Sequence, residues 1–367
     1  LYGKTASESN ILLKPGLYAA LNKLYNADMN NKIENKTIEW LLQPDNPGVR
    51  YLALRDLVPT DPKELVIAAK QAHEKGQIAQ VLAHMSNEGY WKKPGAGYNP
   101  KYTGTVWSVI LLSQLGASVK IDSRIKTACS YVLEHSLTEN GQFTINGLPS
   151  GTVDCLQGNL CAALTDLGCE DSRLDKAYEW MAKTVTGENI APNTDKKASE
   201  HYYAGKCGPI FACGSNNKLP CAWGGTKVMR AFSKLPAKKQ THFIRKAINT
   251  GVDFLFSTDP ADAHYPSGYS DKPSGNWWKF GFPVFYITDL LQIVEALGGL
   301  GYGSDPRLAK AIKIIKEKRD ASGSWLLEYD YTGKTWVNFG AKNQPNKWVT
   351  LRSLRALKSL DYSGSGV

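Results

Sequence analysis

The sequence predicts an all-α fold, an (α/α)6 toroid of six inner and six outer helices, on three observations. Six polar or aromatic loops run straight into nearly all-apolar segments with leucine-rich ends: Asn46 to Leu57, Lys101 to Leu112, Asp154 to Leu164, Pro220 to Phe232, Phe280 to Leu297 and Asn346 to Leu357. Their starts recur about 53 to 66 residues apart, a period that suits stacked helical units. Amphipathic segments alternate with them. A helix that is apolar on every side must be surrounded by protein, so the six apolar segments are expected to form an inner ring. Their polar first turns should then converge on one end of a central cavity, where function is to be sought.

Taken in order, residues 1–35 are rich in Asn and Lys and carry a short amphipathic piece from Leu17 to Leu24, expected to be an arm against the ring. The ring occupies residues 36–360 and opens with Ile38 to Leu42 as its first outer element. Pro47 suits the first helical position, where its missing N–H would have no partner in any case. Later outer helices are Ser123 to Leu137, Asp171 to Val185, Thr241 to Phe256 and Asp305 to Lys318, each with an apolar stripe and a charged opposite face. Ser123, Asp171, Thr241 and Asp305 are the expected N-caps, because a short oxygen side chain accepts a free first-turn N–H. A second repeated signal is Gly closely followed by an aromatic, in Asn87 to Trp91, Glu139 to Phe143 and Ala321 to Trp325. Gly allows the tight turn and the aromatic packs between helix pairs. Residues 361–367 are expected to be a tail or tag remnant, and the start at Leu1 rather than Met suggests a removed leader.

The 367-residue chain is 42% hydrophobic, enough for a large core, and no apolar run approaches a membrane span. A cytoplasmic location is the resulting expectation. The net charge of +10 comes from lysines spread along outer segments, such as Lys234, Lys238, Lys310 and Lys313, rather than interleaved with aromatics. That is a solvated basic face, not a nucleic-acid groove, and it leaves peripheral contact with anionic lipid open. Seven cysteines without a CxxC pair argue against a disulfide framework or a zinc ribbon. Cys129, Cys161 and Cys169 lie in apolar patterns and read as small hydrophobes.

Cys155, Cys207, Cys213 and Cys221 instead fall at or before inner-helix starts. A helix N-terminus favours the thiolate, so Cys155 and Cys221 are expected to have lowered pKa values. Buried inert thiols, a Cys213–Cys221 disulfide, acid/base thiols and a metal site including His201 all remain open readings. Asp154 reads as a helix cap or a catalytic carboxylate. Asp289 lies well inside an expected apolar helix, where an unpaired carboxylate is costly. It should face the cavity as an acid or base, or pair with Arg50, Arg55 or Arg352. Tyr51, Tyr102, Tyr203, Trp223, Phe282, Tyr286 and Trp348 are the candidate substrate-binding aromatics, a set suited to an apolar ligand. Lys227 and Lys347 either face the cavity or snorkel to solvent.

The helix pairs with Gly-x-aromatic turns resemble the squalene–hopene cyclase and protein-prenyltransferase superfamily over roughly residues 36 to 360. The segments beginning at Trp40, Ala212, Trp277 and Gln344 resemble its squalene-cyclase-like prokaryotic members. The chain has neither the DxDD of alkene-protonating cyclases nor a DDxxD for diphosphate, and no inner helix begins with the His of prenyltransferase zinc sites. More weakly, Cys213 to Cys221 ahead of an apolar helix is similar to linalool dehydratase-isomerases, with Asn159 where that family has His. Cys221 is similar in kind to a zinc ligand of lanthionine cyclases. The resemblance implies a terpenoid- or isoprenoid-active cyclase, isomerase or hydro-lyase without a cofactor. Asp154, Cys155, Cys213, Cys221 and Asp289 would then be the acid/base groups. The alternatives are a zinc–thiolate site built from Cys155, Cys207, Cys213, Cys221 and His201, and a non-catalytic toroid that binds lipid or peptide.

Overall fold

A computed structural model describes residues 35–192, 194–198, 200–201 and 206–361. Tyr203, the residue 1–34 arm and the tail from 362 lie outside the described residues. The chain is all-α, and among the described residues β-pairing is limited to isolated bridges. Helix α1 is described over residues 35–41. It is followed by α2 (Pro47–Asp56), α3 (Pro62–Lys75), α4 (Gln77–Leu82), α5 (Thr105–Gln114), α6 (Ser123–His135) and α7 (Asp154–Asp166). The second half carries α8 (Ser172–Thr186), α9 (Ala222–Lys234), α10 (His242–Leu255), α11 (Leu290–Leu297), α12 (Ala309–Glu317) and α13 (Lys347–Lys358).

The apolar segments become α2, α5, α7, α9, α11 and α13, and all but α11 match their expected spans closely. Helices α5, α7, α9, α11 and α13 pack in succession, and α13 returns to α2. The link from α5 back to α2 is made by Gly116, where an added Cβ would strike the Leu52 side chain. Helices α3, α6, α8, α10 and α12 each pack on an inner helix. Asn46 caps α2, with Pro47 in its first turn, and Asp171 and Thr241 cap α8 and α10. The α6 cap is Asp122 rather than Ser123, since its carboxylate takes the Arg124 N–H. Asp305 caps the short turn Pro306–Leu308 that precedes α12.

The Gly-x-aromatic turns fasten each outer helix to the next inner one. The buried Trp91 indole donates to the Val81 carbonyl at 2.8 Å, while its backbone N–H reaches Thr105 Oγ1 in the first turn of α5 at 3.1 Å. Trp325 repeats both contacts, to Ile315 at 2.8 Å and to Thr350 in α13 at 3.0 Å. Phe143 gives its N–H to Gln157 of α7 at 2.6 Å. A buried indole removes about 150–250 Å² from water, so each such anchor contributes roughly 4–6 kcal/mol before entropy is counted.

The fifth apolar segment departs most from expectation. Helix α11 starts only at Leu290, because residues 280–289 leave helical geometry and cross between the other inner helices. Gln114 of α5 takes the Val284 N–H at 2.8 Å and donates back to the Val284 carbonyl at 2.7 Å. Asn159 of α7 donates to the Phe285 carbonyl at 3.0 Å. Pro283, which has no N–H to offer a helix, sits in the middle of this crossing. Phe285 and Tyr286 pack against Trp107 on one side, while Phe282 and Val284 line a cavity on the other. Packed rings therefore occupy one side of this crossing, and the open space lies on the other.

Candidate functional site

Glycine brings the first turns of α7 and α9 together. A Cβ on Gly158 would lie 2.4 Å from the Lys227 carbonyl carbon, and one on Gly224 would lie 3.2 Å from Asp154 Cβ. Only glycine permits this approach. Beside it, the strand-like bridge between Val153 and Lys206 lays the 206–213 segment along the start of α7. The Ala212–Pro220 bridge then closes a hairpin that returns Cys221 to Cys213. Asn216 pins the hairpin, donating to the Pro220 and Pro266 carbonyls at 3.0 Å each. Ile210 and Phe211, just ahead of it, hold positive φ values of 49° and 60°, a strained geometry for such side chains.

Asp154, Cys155, Cys213 and Cys221 thus form one cluster. Asp154 occupies the first turn of α7, but its side chain makes no cap, and the expected capping role is not what it does. Its Oδ2 is buried and has no hydrogen-bond partner. Burial raises its pKa well above the usual carboxylate value, with Cys213 adding to the rise, so its surroundings favour the neutral acid. Cys213 moves the other way. The Cys221 thiol donates to it, and the backbone N–H groups of Ser215 and Asn216 and the Lys206 charge assist against burial, lowering it to about 6. Cys221, the donor, is pushed up by that same bond and by burial. Burial pushes Cys155 up to about 12, with Cys213 and Asp154 adding to it.

The expected lowered pKa at Cys155 and Cys221 is therefore corrected. Desolvation outweighs the helix N-terminus at Cys155, donation to Cys213 together with burial does so at Cys221, and the thiol whose pKa is lowered is Cys213. All seven cysteines are free, which removes the disulfide reading in this state. The conditional zinc set does not assemble. Cys207 packs with Trp180 and Ile190 in a separate cluster, and His201 contacts the Asp195 carbonyl. Among the described residues no three His, Cys, Asp or Glu side chains are grouped as metal ligands. Cys129 and Cys161 are buried as expected, whereas Cys169 is half-buried and hydrogen-bonded to Cys129.

Asp289 is not inside a helix but caps α11, accepting the Gln292 N–H at 3.1 Å. Arg352 of α13 holds it with two bonds at 3.0 Å, the ion-pair alternative of the sequence reading. Gln292 donates to Asp289 Oδ1 at 3.2 Å and accepts from Lys227 Nζ. Lys227 also donates to the Ile287 carbonyl at 3.2 Å and is 1% exposed, so it does not snorkel. Burial lowers it to about 7, against the attraction of Asp289. The chain Arg352–Asp289–Gln292–Lys227 runs from the cavity wall to the Cys155 side of the thiol cluster. Lys347 is buried too, paired with Asp45 and Gln43 over the Trp40 ring.

The aromatics divide between two groups. Tyr102, Tyr286, Trp107, Phe285 and Tyr331 interlock at ring distances of 4.6–5.6 Å. Tyr98 joins them against Trp107 at 5.2 Å and lies within electrostatic reach of Cys155. The Tyr286 hydroxyl is buried without a partner. Phe282 and Trp348 stack separately at 4.6 Å. Tyr51 is core packing under Arg55, and Trp223 is half-buried in α9. The sequence reading counted Tyr98 among the rim aromatics without singling it out and left Lys227 between cavity and solvent; the paired small residues Gly158 and Gly224 were the available signal that α7 and α9 meet there.

The sizeable cavity, about 1010 Å³, lies at the opposite ends of the inner helices and is lined largely by charged and polar side chains. This corrects the expectation of an apolar cavity at the first turns. Bulky rings fill that end, whereas Ser113, Ser233 and the glycines after α11 leave space at the other. No helix among the described residues is long and apolar enough to cross a membrane. Compared with known proteins, the chain matches no family model and no curated protein.

Proposed function

We propose that the chain is an (α/α)6 toroid enzyme that moves protons on a small apolar, isoprenoid-like substrate at the joined first turns of α7 and α9. The observation that carries this reading is the pairing of a buried, unpartnered, neutral Asp154 with an ionised Cys213 in one cluster. Opposite protonation states in adjacent groups are what acid/base work requires. Asp154 would protonate an allylic hydroxyl or alkene carbon, and Cys213 would take a proton from a neighbouring carbon. That is an isomerase or hydro-lyase reaction. The Tyr98, Trp107 and Tyr286 rings beside Cys155 would stabilise developing positive charge. Cys155 and Cys221 are half-buried, which leaves the cluster a solvent side.

The test is turnover of a panel of acyclic isoprenoid alcohols and alkenes followed by gas chromatography. Asp154→Asn and Cys213→Ser should each lose about 100-fold or more in rate. Full activity in both variants, or no turnover of any compound by the unaltered chain, would overturn the reading.

A further inference from the structure

At the carboxyl ends of the inner helices, about 18 Å along α7 from Asp154, the 1010 Å³ cavity has a charge imbalance that its structural role does not explain. Its lining carries seven Lys or Arg side chains against three carboxylates. Asp56 is shared by Arg55 and Arg355. Asp166 and Glu295 serve Arg230 and Lys234 through contacts of 3.3–3.8 Å. Arg352 spends its charge on Asp289 behind the wall. Among the described residues, Arg245 and Lys358 meet backbone carbonyls of Gln240, Asp56 and Leu57. Counting Asp289, seven cations still face four carboxylates.

Some positive charge is expected where helix carbonyl ends converge. Those partial charges are spread over six helix ends, whereas the discrete carboxylates are fewer than the cations and Asp56 alone is shared by two guanidinium groups. Arg355 is lowered from the ordinary arginine value by burial and by Arg55. Burial alone would raise Glu295, yet Arg230, Lys234, Arg352 and Arg355 hold it at about 2. A concave site of this size, with more converging cations than carboxylates, matches the volume of small-molecule pockets.

We propose that this chamber is a binding site for a small multivalent oxyanion, a phosphate ester or a polycarboxylate, held between α9, α13 and the end of α2. The anion supplies the negative charge that Asp56, Asp166 and Glu295 leave short. Lys234 of α9 and Arg355 of α13 contact it from the two sides of α11, and Phe282, Val284 and Ile248 offer an apolar wall for an attached organic group. The site lies across the 280–289 segment from the thiol cluster, so it stands or falls separately from the acid/base reading.

Calorimetric titration of the full chain with pyrophosphate and, separately, with citrate tests it. Saturable binding of either anion is expected, weakening with added salt. Tighter pyrophosphate binding assigns a phosphate ester, and tighter citrate binding assigns a polycarboxylate. Lys234→Gln, whose ion pairs are long and partly exposed, should weaken binding about ten-fold without unfolding the chain, as should Arg355→Gln where it folds. Lys313→Gln, on an exposed position of α12, should leave it unchanged. Absence of saturable binding to both anions, or equal weakening by Lys313→Gln, overturns the proposal.

Discussion

Arg352 lays its two terminal nitrogens along the carboxylate of Asp289, Nη1 to Oδ2 and Nη2 to Oδ1 at 3.0 Å each, with 10% and 4% of the two side chains exposed. The pair ties α13 to the start of α11 and anchors the 280–289 segment that crosses between the apolar helices. Removing one partner leaves the other buried and uncompensated, so Asp289→Ala should cost about 3–5 kcal/mol in urea denaturation. Arg352→Ala should cost a similar amount, and the double variant should cost clearly less than the sum. Strict additivity would show that the two side chains are not coupled.

Cys213 should be the fast-reacting thiol. Its alkylation by iodoacetamide, followed by peptide mass spectrometry, should rise through an inflection near pH 6, the value to which its surroundings lower it. Cys155, held near 12, should stay slow over the same range. Because the Cys221 thiol is the largest cause, Cys221→Ala should move the inflection upward. An unchanged inflection in that variant would assign the effect to the hairpin backbone instead.

Lys227 makes stability depend on alkaline pH. In the folded chain it titrates near 7, against 10.5 for an ordinary lysine. Between those values the unfolded chain binds the additional proton, so raising the pH from about 7 to about 10.5 should favour folding. Below 7 the cost of a buried ammonium is fully present. Lys227→Met should flatten this slope in denaturant midpoints measured across the window, and a retained slope would mean that another group causes it.

Glu295 acts in the acid range. Its folded value of about 2 lies below the ordinary 4.5, so its contribution is complete above about 4.5 and is lost as pH falls through 2. Asp56 adds a parallel effect, from 3.8 to about 2, held down by Arg355 and Arg55 against burial. Thermal melts of Glu295→Gln should therefore show less loss of stability on acidification than those of the unaltered chain.

Gly158→Ala tests the close approach of α7 and α9. Its Cβ would fall 2.4 Å from backbone that cannot turn aside, so the helices must separate. Overpacking of this kind costs about 1–3 kcal/mol. The Cys213 alkylation inflection, set by Cys221, the Ser215 and Asn216 N–H groups and Lys206, should stay near 6, because the substitution leaves those partners in place.

Most of the helical plan was legible because it rests on local physics. Asn46, Asp171 and Thr241 cap helices with their own side chains, and Trp91 and Trp325 follow glycines that turn the chain. Pro283 was a readable signal against a helix through 280–289, but the path of the crossing was not legible, because its apolar residues look the same whether they line a helix face or pack between helices. The position of Asp289 was missed for that reason, although Arg352 was among its foreseen partners. The state of each thiol was equally hidden. A helix N-terminus can be read from sequence, but the desolvation that outweighs it at Cys155 depends on what other segments cover it.

The sequence by itself determined the alternation of apolar and amphipathic helices, their caps and the Gly-x-aromatic joints, because each depends on residues near one another along the chain. The tertiary structure decided where space and charge would lie. Tyr102, Trp107, Phe285 and Tyr286 come from distant segments and fill the end expected to be open. Arg55, Arg230 and Arg355 end three separate helices and converge on the other. Cavity volume and electrostatic potential are sums over neighbours in space, and no local pattern records which neighbours those will be.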